Sequence, residues 1–293
     1  MIPNRNSFRI VFSSNPDPVS DVWLTISSFL KREGCLPSEF RVSQIAGHAE
    51  ECRSESRLRL TPEEIVLLIE KRNLYGFGVD TGHSENSVGY ELTPRGKTGG
   101  QSVLSCRIES KAKAPKDWNP LLEGLMNQWC CIGGWQWKIL YNSWQNANST
   151  KYYETRYGHR PSGLVTYMEK SIDSLKSDRE LIDVSLNPGR SKELASGLFF
   201  IPSAEMWLGP DFWQYAKCTK EEALSADFFL EKRDTPHFLY LKSWPRPFSR
   251  PDGEQGRQQQ KIWRLFFNED CEWPPGSGTI CDEPMYGPPE LMP

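Results

Sequence analysis

The alternation of apolar and polar positions changes period several times along the chain, and each change marks an element. Phe8-Arg9-Ile10-Val11-Phe12 has the short period of a strand. Between Asp21 and Arg32, the residues Val22, Leu24, Ile26, Phe29 and Leu30 recur at near-helical spacing, and Gly34 supplies a stop. Thr61-Pro62-Glu63-Glu64 reads as a helix start, with Thr as N-cap, Pro at the first helical position and Glu64 closing a capping box. Ile65, Leu68 and Ile69 form the apolar stripe behind it. Residues 74–79, 88–92 and 103–108 then read as strands. Gly, Asn and Pro separate them, as in an antiparallel meander. Residues 94–100 read as an exposed loop.

The second half is more aromatic. Residues 121–131 read as a helix ended by Gly133-Gly134, and residues 135–141 as a strand on which Trp135 and Trp137 share a face. Residues 164–168, 181–186 and 198–201 have strand character. Thr219-Lys220-Glu221-Glu222 repeats the capping box. Residues 228–230 and 238–241 suit a hairpin split by Asp234-Thr235-Pro236, while residues 262–267 fit strand and helix alike. These elements predict an α+β fold, mostly antiparallel sheet with packed helices. The polar residues 111–116 suggest a division into an N-terminal lobe (1–115) and an aromatic-rich C-terminal lobe (116–293), with a single large domain as the alternative.

Composition narrows the partners. A net charge of −3 gives no overall attraction to nucleic acid or to an anionic membrane. No segment approaches the roughly 20 apolar residues that span a bilayer, and the N-terminus has no secretory apolar region, so the chain reads as cytoplasmic. The 8 Cys are scattered without a CxxC pair and read as reduced thiols; a Cys271–Cys281 bridge would need an oxidising compartment. Charge is uneven locally. The segment 242–264 holds Lys242, Arg246, Arg250, Arg257, Lys261 and Arg264 against Asp252 and Glu254. The Pro- and Gly-rich tail 268–293 holds Glu269, Asp270, Glu272, Asp282, Glu283 and Glu290 with no Lys or Arg. Such a tail folds back on the basic stretch, stays solvated, or attracts a basic partner.

Catalytic signals are sparse. His48, His83, His159 and His237 lie outside any metal-ligand spacing, and there is no phosphate-binding glycine loop or nucleophile elbow. No cofactor or metal is expected. Cys130-Cys131 reads as a pair of core thiols beside Trp129 and Trp135. One enzymatic alternative stands: Asp80 at the end of one strand and Glu109-Ser110-Lys111 at the end of another match the arrangement of a Mg²⁺-dependent nuclease of restriction-endonuclease type. There, two carboxylates hold the metal and Lys orients the attacking water.

The densest aromatic segment, Met206-Trp207-Leu208-Gly209-Pro210-Asp211-Phe212-Trp213-Gln214-Tyr215, surrounds a Gly-Pro turn and reads equally as an interface anchor or a loop packed on its own domain. Three stretches, residues 160–168 (RPSGLVTYM), Asp183-Val184-Ser185-Leu186 and 206–213 (MWLGPDFW), resemble the immunity protein 52 family, bacterial immunity proteins of polymorphic and type VI secretion toxin systems. The resemblance covers mainly residues 135–245. It implies a cytoplasmic, non-enzymatic α+β protein, monomeric or weakly dimeric, that binds and neutralises a cognate toxin effector, here a nuclease. It carries over no catalytic residues. A surface that covers a nuclease needs acidic side chains for encounter and aromatic anchors for slow release. The acidic candidates are Glu205, Asp211, Glu269 and Asp270; the aromatic ones are Trp207, Phe212 and Trp213.

Overall fold

The computed structural model describes residues 6–46, 58–81, 88–93, 102–108, 115–151, 166–170 and 178–271. In chain order the strands are β1 (Asn6–Phe12), β2 (Phe40–Ala46), β3 (Arg59–Leu60), β4 (Gly76–Asp80), β5 (Val88–Thr93), β6 (Ser102–Ile108), β7 (Cys131–Lys138), β8 (Thr166–Glu169), β9 (Arg179–Ile182), β10 (Lys192–Ala195), β11 (Leu198–Phe200), β12 (Glu205–Leu208), β13 (Glu231–Asp234) and β14 (Leu239–Lys242). The described helices are α1 (Val19–Arg32), α2 (Pro62–Lys71), α3 (Asn119–Gln128), α4 (Ile139–Gln145), α5 (Lys220–Ser225) and α6 (Gly253–Phe267). Ten strands form one sheet in the order β13-β14-β12-β7-β1-β6-β5-β4-β2-β3; β8–β9 and β10–β11 are separate hairpins. The described pairings are antiparallel, so the fold is α+β.

The period-two alternation of β1 sets the two sides of this sheet. Phe8, Ile10 and Phe12 point to one core and Val11 to the other. On the first side lie Tyr90, Leu92, Leu104, Trp207 and Tyr240 from the strands, covered by Val22, Trp23 and Ile26 of α1, Ile65 and Ile69 of α2, and Leu121, Leu122 and Leu125 of α3. On the second side Trp135, Met206, Leu208, Leu239 and Leu241 are covered by Ile262, Trp263 and Phe266 of α6, together with Phe200 and Phe212. β1 pairs with β6 on one edge and β7 on the other, so one sheet joins described strands of both expected lobes, 1–115 and 116–293.

The helix starts follow their local chemistry. The Thr61 hydroxyl accepts from Glu64 N at 3.2 Å, and Thr61 N donates to Glu64 Oε2 at 2.8 Å. Thr219 and Glu222 repeat the box at 3.2 and 2.7 Å. Each box satisfies two donors that a helix start leaves unpaired. Gly34 stops α1 with φ +64°.

Two expectations need correction. The helix over 121–131 ends at Gln128, and Gly133-Gly134 lies inside β7 rather than after a helix. A Cβ on Gly133 would stand 2.9 Å from Trp135 Cζ2 and 3.1 Å from Trp207 O, so the glycine admits an indole and a neighbouring backbone. The strand over 135–141 gives way to α4 at Ile139. Residues 262–267, which fit strand and helix alike, are the end of α6; the first half of its buried face is carried by Gly256, Gln258 and Gln259, which give no apolar period. The expected loop at 94–100 lies outside the described residues.

Candidate partner-binding surface

The seven candidate binding residues do not form one patch; the fold distributes them over three places. Trp207 and Phe212 are both 0 % exposed, which overturns their reading as surface anchors. Trp207 sits on β12 with its side chain on the first side of the sheet, 5.2 Å between ring centroids from Tyr240. Phe212 sits in the second core, with ring centroids 6.0 Å from Phe200 and 5.5 Å from Phe266. The Gly-Pro turn explains the pair. Gly209 passes so close to Cys131 that any Cβ would collide with its carbonyl oxygen. The chain then enters a 3-10 turn (Pro210–Gln214) that drives Phe212 inward.

The same turn leaves Asp211 exposed and Trp213 half-buried. Trp213 leans on Phe212, with ring centroids 5.4 Å apart, and on Phe266 at 6.4 Å. The Lys217 N–H donates to Phe266 O at 2.6 Å, which ties the turn to the last turns of α6. Beside it opens a groove of about 510 Å³ lined by Lys217, Cys218, Glu222, Arg264, Leu265, Phe267 and Asn268. Burial pushes the Cys218 thiol up to about 11, so it stays protonated there near neutral pH. None of the groove residues was a binding candidate in the sequence: Glu222 entered it as a helix cap and Arg264 as part of the basic segment 242–264.

Glu269 and Asp270 follow α6 and are engaged within the chain. Arg190 donates to Glu269 Oε2 at 3.1 Å and to Asp270 O at 3.3 Å, and Lys192 pairs with Glu269 at 2.5 Å. Arg264 donates to Asp270 at 2.6 Å. Arg190 itself is buried and lies 4.0 Å over the Trp263 ring, so this start of the acidic tail is clamped to the body. Asp270 folds back on the basic segment 242–264 through Arg264; the tail beyond Cys271 lies outside the described residues.

Glu205 shares the first side of β12 with Trp207; it pairs with Lys242 at 2.7 Å and accepts from the Tyr240 hydroxyl at 3.0 Å. Its hydrogen bond holds the Lys242 ammonium above its ordinary value. Arg233 donates twice to Glu123 of α3, at 2.9 and 2.6 Å, and lies 5.0 Å over the Tyr240 ring.

For the nuclease alternative, Asp80 ends β4 as expected, but its carboxylate accepts a forked bond from Arg41, at 3.1 Å from Nε and 2.8 Å from NH2. A carboxylate so paired has less charge to offer Mg²⁺. β5 lies between β4 and β6, with Gly89 opposite both Asp80 and Arg107; Glu109 and Lys111 lie outside the described residues. Among the described residues no group of three His, Cys, Asp or Glu is placed to share a metal ion. His237 is exposed in the β13–β14 turn, and His48, His83 and His159 lie outside the described residues. Cys130 is exposed rather than buried. Cys131 is buried at the start of β7, where burial raises its thiol well above the ordinary value. No described helix is long and apolar enough to cross a membrane.

No protein-family model matches the chain, and no curated protein matches it.

Proposed function

We propose that this protein is a stoichiometric inhibitor of the immunity type, which neutralises a nuclease toxin effector by occupying its surface. The family resemblance of residues 206–213 motivates the reading. The observation that carries it is the 3-10 turn of that segment. Phe212, at 0 % exposure, nails the turn to the core and thereby fixes exposed Asp211 and half-buried Trp213 beside the groove. A rigid turn lowers the ordering cost of association, because the presented side chains lose little freedom on binding. Asp211 contributes to encounter with a basic surface, and Trp213 contributes contact area. Glu269 and Asp270 act on the scaffold in this reading, since their charges are spent inside the chain.

Co-expression with the open reading frame beside this gene tests the reading. The neighbour's product should arrest growth alone, be tolerated together with this protein, and co-elute with it at a one-to-one ratio. The double variant Asp211→Lys, Trp213→Ala should lose protection while its melting temperature stays within a few degrees of the wild type. A neighbour that is harmless alone, or protection that survives without any complex, overturns the proposal.

A further inference from the structure

The end of α6 ties two distant parts of the chain together. A helix leaves its last four carbonyls without partners inside the helix. At the end of α6, Asn268 takes the left-handed conformation, with φ 54° and ψ 37°. Asn268 N then donates to Arg264 O at 3.0 Å, and Glu269 N to Trp263 O at 3.4 Å. Phe266 O is answered from elsewhere: it accepts from Lys217 N at 2.6 Å, just past the 3-10 turn (Pro210–Gln214). The side chains follow the backbone. Phe266 packs on Phe212 and Trp213, at 5.5 and 6.4 Å between ring centroids. Arg264, Leu265, Phe267 and Asn268 line the groove beside them. The last turn of α6 therefore backs the 3-10 turn and forms one wall of the groove.

The reversed chain after Asn268 holds that last turn. Glu269 meets Arg190 at 3.1 Å and Lys192 at 2.5 Å. Asp270 returns to Arg264 at 2.6 Å, and Cys271 O accepts from Gln260 Nε2 at 3.0 Å, so residues 269–271 run back along the helix. Arg190 is itself fixed. It is buried, its NH1 donates to Asn187 O at 3.1 Å, and it lies 4.0 Å over the Trp263 ring. Helix ends fray first; here the end that would fray is fastened to a buried guanidinium.

We propose that Glu269 is a positioning residue for the binding turn: its bonds to Arg190 and Lys192 keep the last turn of α6 wound, and the wound turn keeps Phe266 O in place for Lys217 and the Phe266 ring in place for Trp213. Local opening of residues 268–271 unwinds that end, frees the Lys217 N–H and lets Trp213 and the groove wall shift. Asp211 and Trp213 then lose the fixed geometry that lowers the ordering cost of association. The inference deepens the inhibitor reading by assigning what sets the binding turn, and it rests on that reading only for what the turn binds.

Hydrogen exchange at the Lys217 amide, read by NMR on the full chain, tests it without any partner. The double variant Glu269→Gln, Asp270→Asn should speed that exchange by about fivefold. Glu123→Gln, which strips Arg233 of a doubly bonded carboxylate on the other side of the sheet, should leave it unchanged. An unchanged Lys217 rate in the double variant, or an equal response to Glu123→Gln, overturns the inference. The product of the neighbouring open reading frame supplies the second readout: it should dissociate from the double variant faster by a similar factor. If that product dissociates from both proteins at one rate, the positioning role falls while the inhibitor reading stands. If it binds neither protein while Lys217 exchange quickens as expected, the inhibitor reading falls and the coupling of Glu269 to the turn stands.

Discussion

The two sides of the central sheet are held in different ways. The side under α1, α2 and α3 is apolar and aromatic: Trp23 meets Phe40, Phe77 and Tyr90 edge-on at 5.0 to 6.3 Å between ring centroids. The side under α6 buries Gln145, Asn187, Arg190, Gln258 and Gln259 among its aromatics. There the loop 183–191 has little regular structure, and side-chain-to-backbone bonds tie it to α4 and α6. Trp263 Nε1 donates to Pro188 O at 2.8 Å, Asn187 Nδ2 to Gln145 O at 2.9 Å, and Gly189 N to Gln145 Oε1 at 2.9 Å. The Tyr141 hydroxyl donates to Gln259 Oε1 at 2.9 Å. One side therefore depends on volume and shape. The other depends on a polar network in which each lost partner strands a buried group.

Removing a tryptophan from each side gives the largest contrast. Trp23→Ala opens a cavity and frees Pro62 O, to which Trp23 Nε1 donates at 2.9 Å, and should cost about 4 kcal/mol. Trp263→Ala opens a similar cavity, leaves Pro188 O without its donor, and takes away the ring beneath the Arg190 guanidinium. It should cost about 5 kcal/mol or prevent folding, and it should loosen residues 187–192 and 269–271 together. Urea unfolding with hydrogen exchange reads both effects. Equal losses, or protection unchanged in those two segments, would break the distinction.

Trimming the indole to a benzene ring is milder and separates polar from apolar terms. Trp263→Phe still leaves Pro188 O unpaired and should cost about 2 kcal/mol. Trp207 on the first side is different, because its Nε1 is buried with no hydrogen-bond partner among the described residues. Trp207→Phe sheds that unpaired donor as it sheds ring area, and the two terms offset to about 1 kcal/mol or less. A Trp207→Phe loss as large as that of Trp263→Phe, measured by denaturant midpoint at constant slope, would show that Trp207 is held by more than packing.

This difference also explains what the sequence disclosed. The first side was legible because its periods are clean: Val22, Ile26, Phe29 and Leu30 face one way on α1, and the Thr61 capping box is complete within four residues. The second side was not, because its order comes from distant side chains. Nothing near Arg190 in the chain announces Glu269, seventy-nine positions away, and nothing near Trp263 announces Pro188. For the candidate site, the turn at Gly209-Pro210 was visible, but its neighbours did not say which aromatic turns inward. Gly209 at the Cys131 carbonyl and the 3-10 geometry send Phe212 to the core and leave Trp213 at the rim. Trp207 adjoins the turn in sequence, yet it belongs to a strand on which it faces one core and Met206 and Leu208 face the other.

The smallest effect concerns pH, and only the second side should show it. Partial burial pushes the Glu269 carboxyl up, but hydrogen bonds from Lys192 and Arg190 outweigh burial and hold it below the ordinary value of 4.5. A carboxyl lowered by folding contributes stability that is present above its unfolded value and is lost as pH falls through the lower folded one. Glu269 is about one-third exposed, so solvent screens the pair and the contribution stays under about 1 kcal/mol. The unfolding free energies of wild type and Glu269→Gln should therefore differ at neutral pH and converge once the medium is more acidic than the folded carboxyl. Ile69→Ala, a packing change on the first side with no titratable group removed, should cost about 3 kcal/mol across the same range. A Glu269→Gln difference that persists unchanged into acid would mean that the clamp on residues 269–271 works through shape, as the first side does, and not through charge.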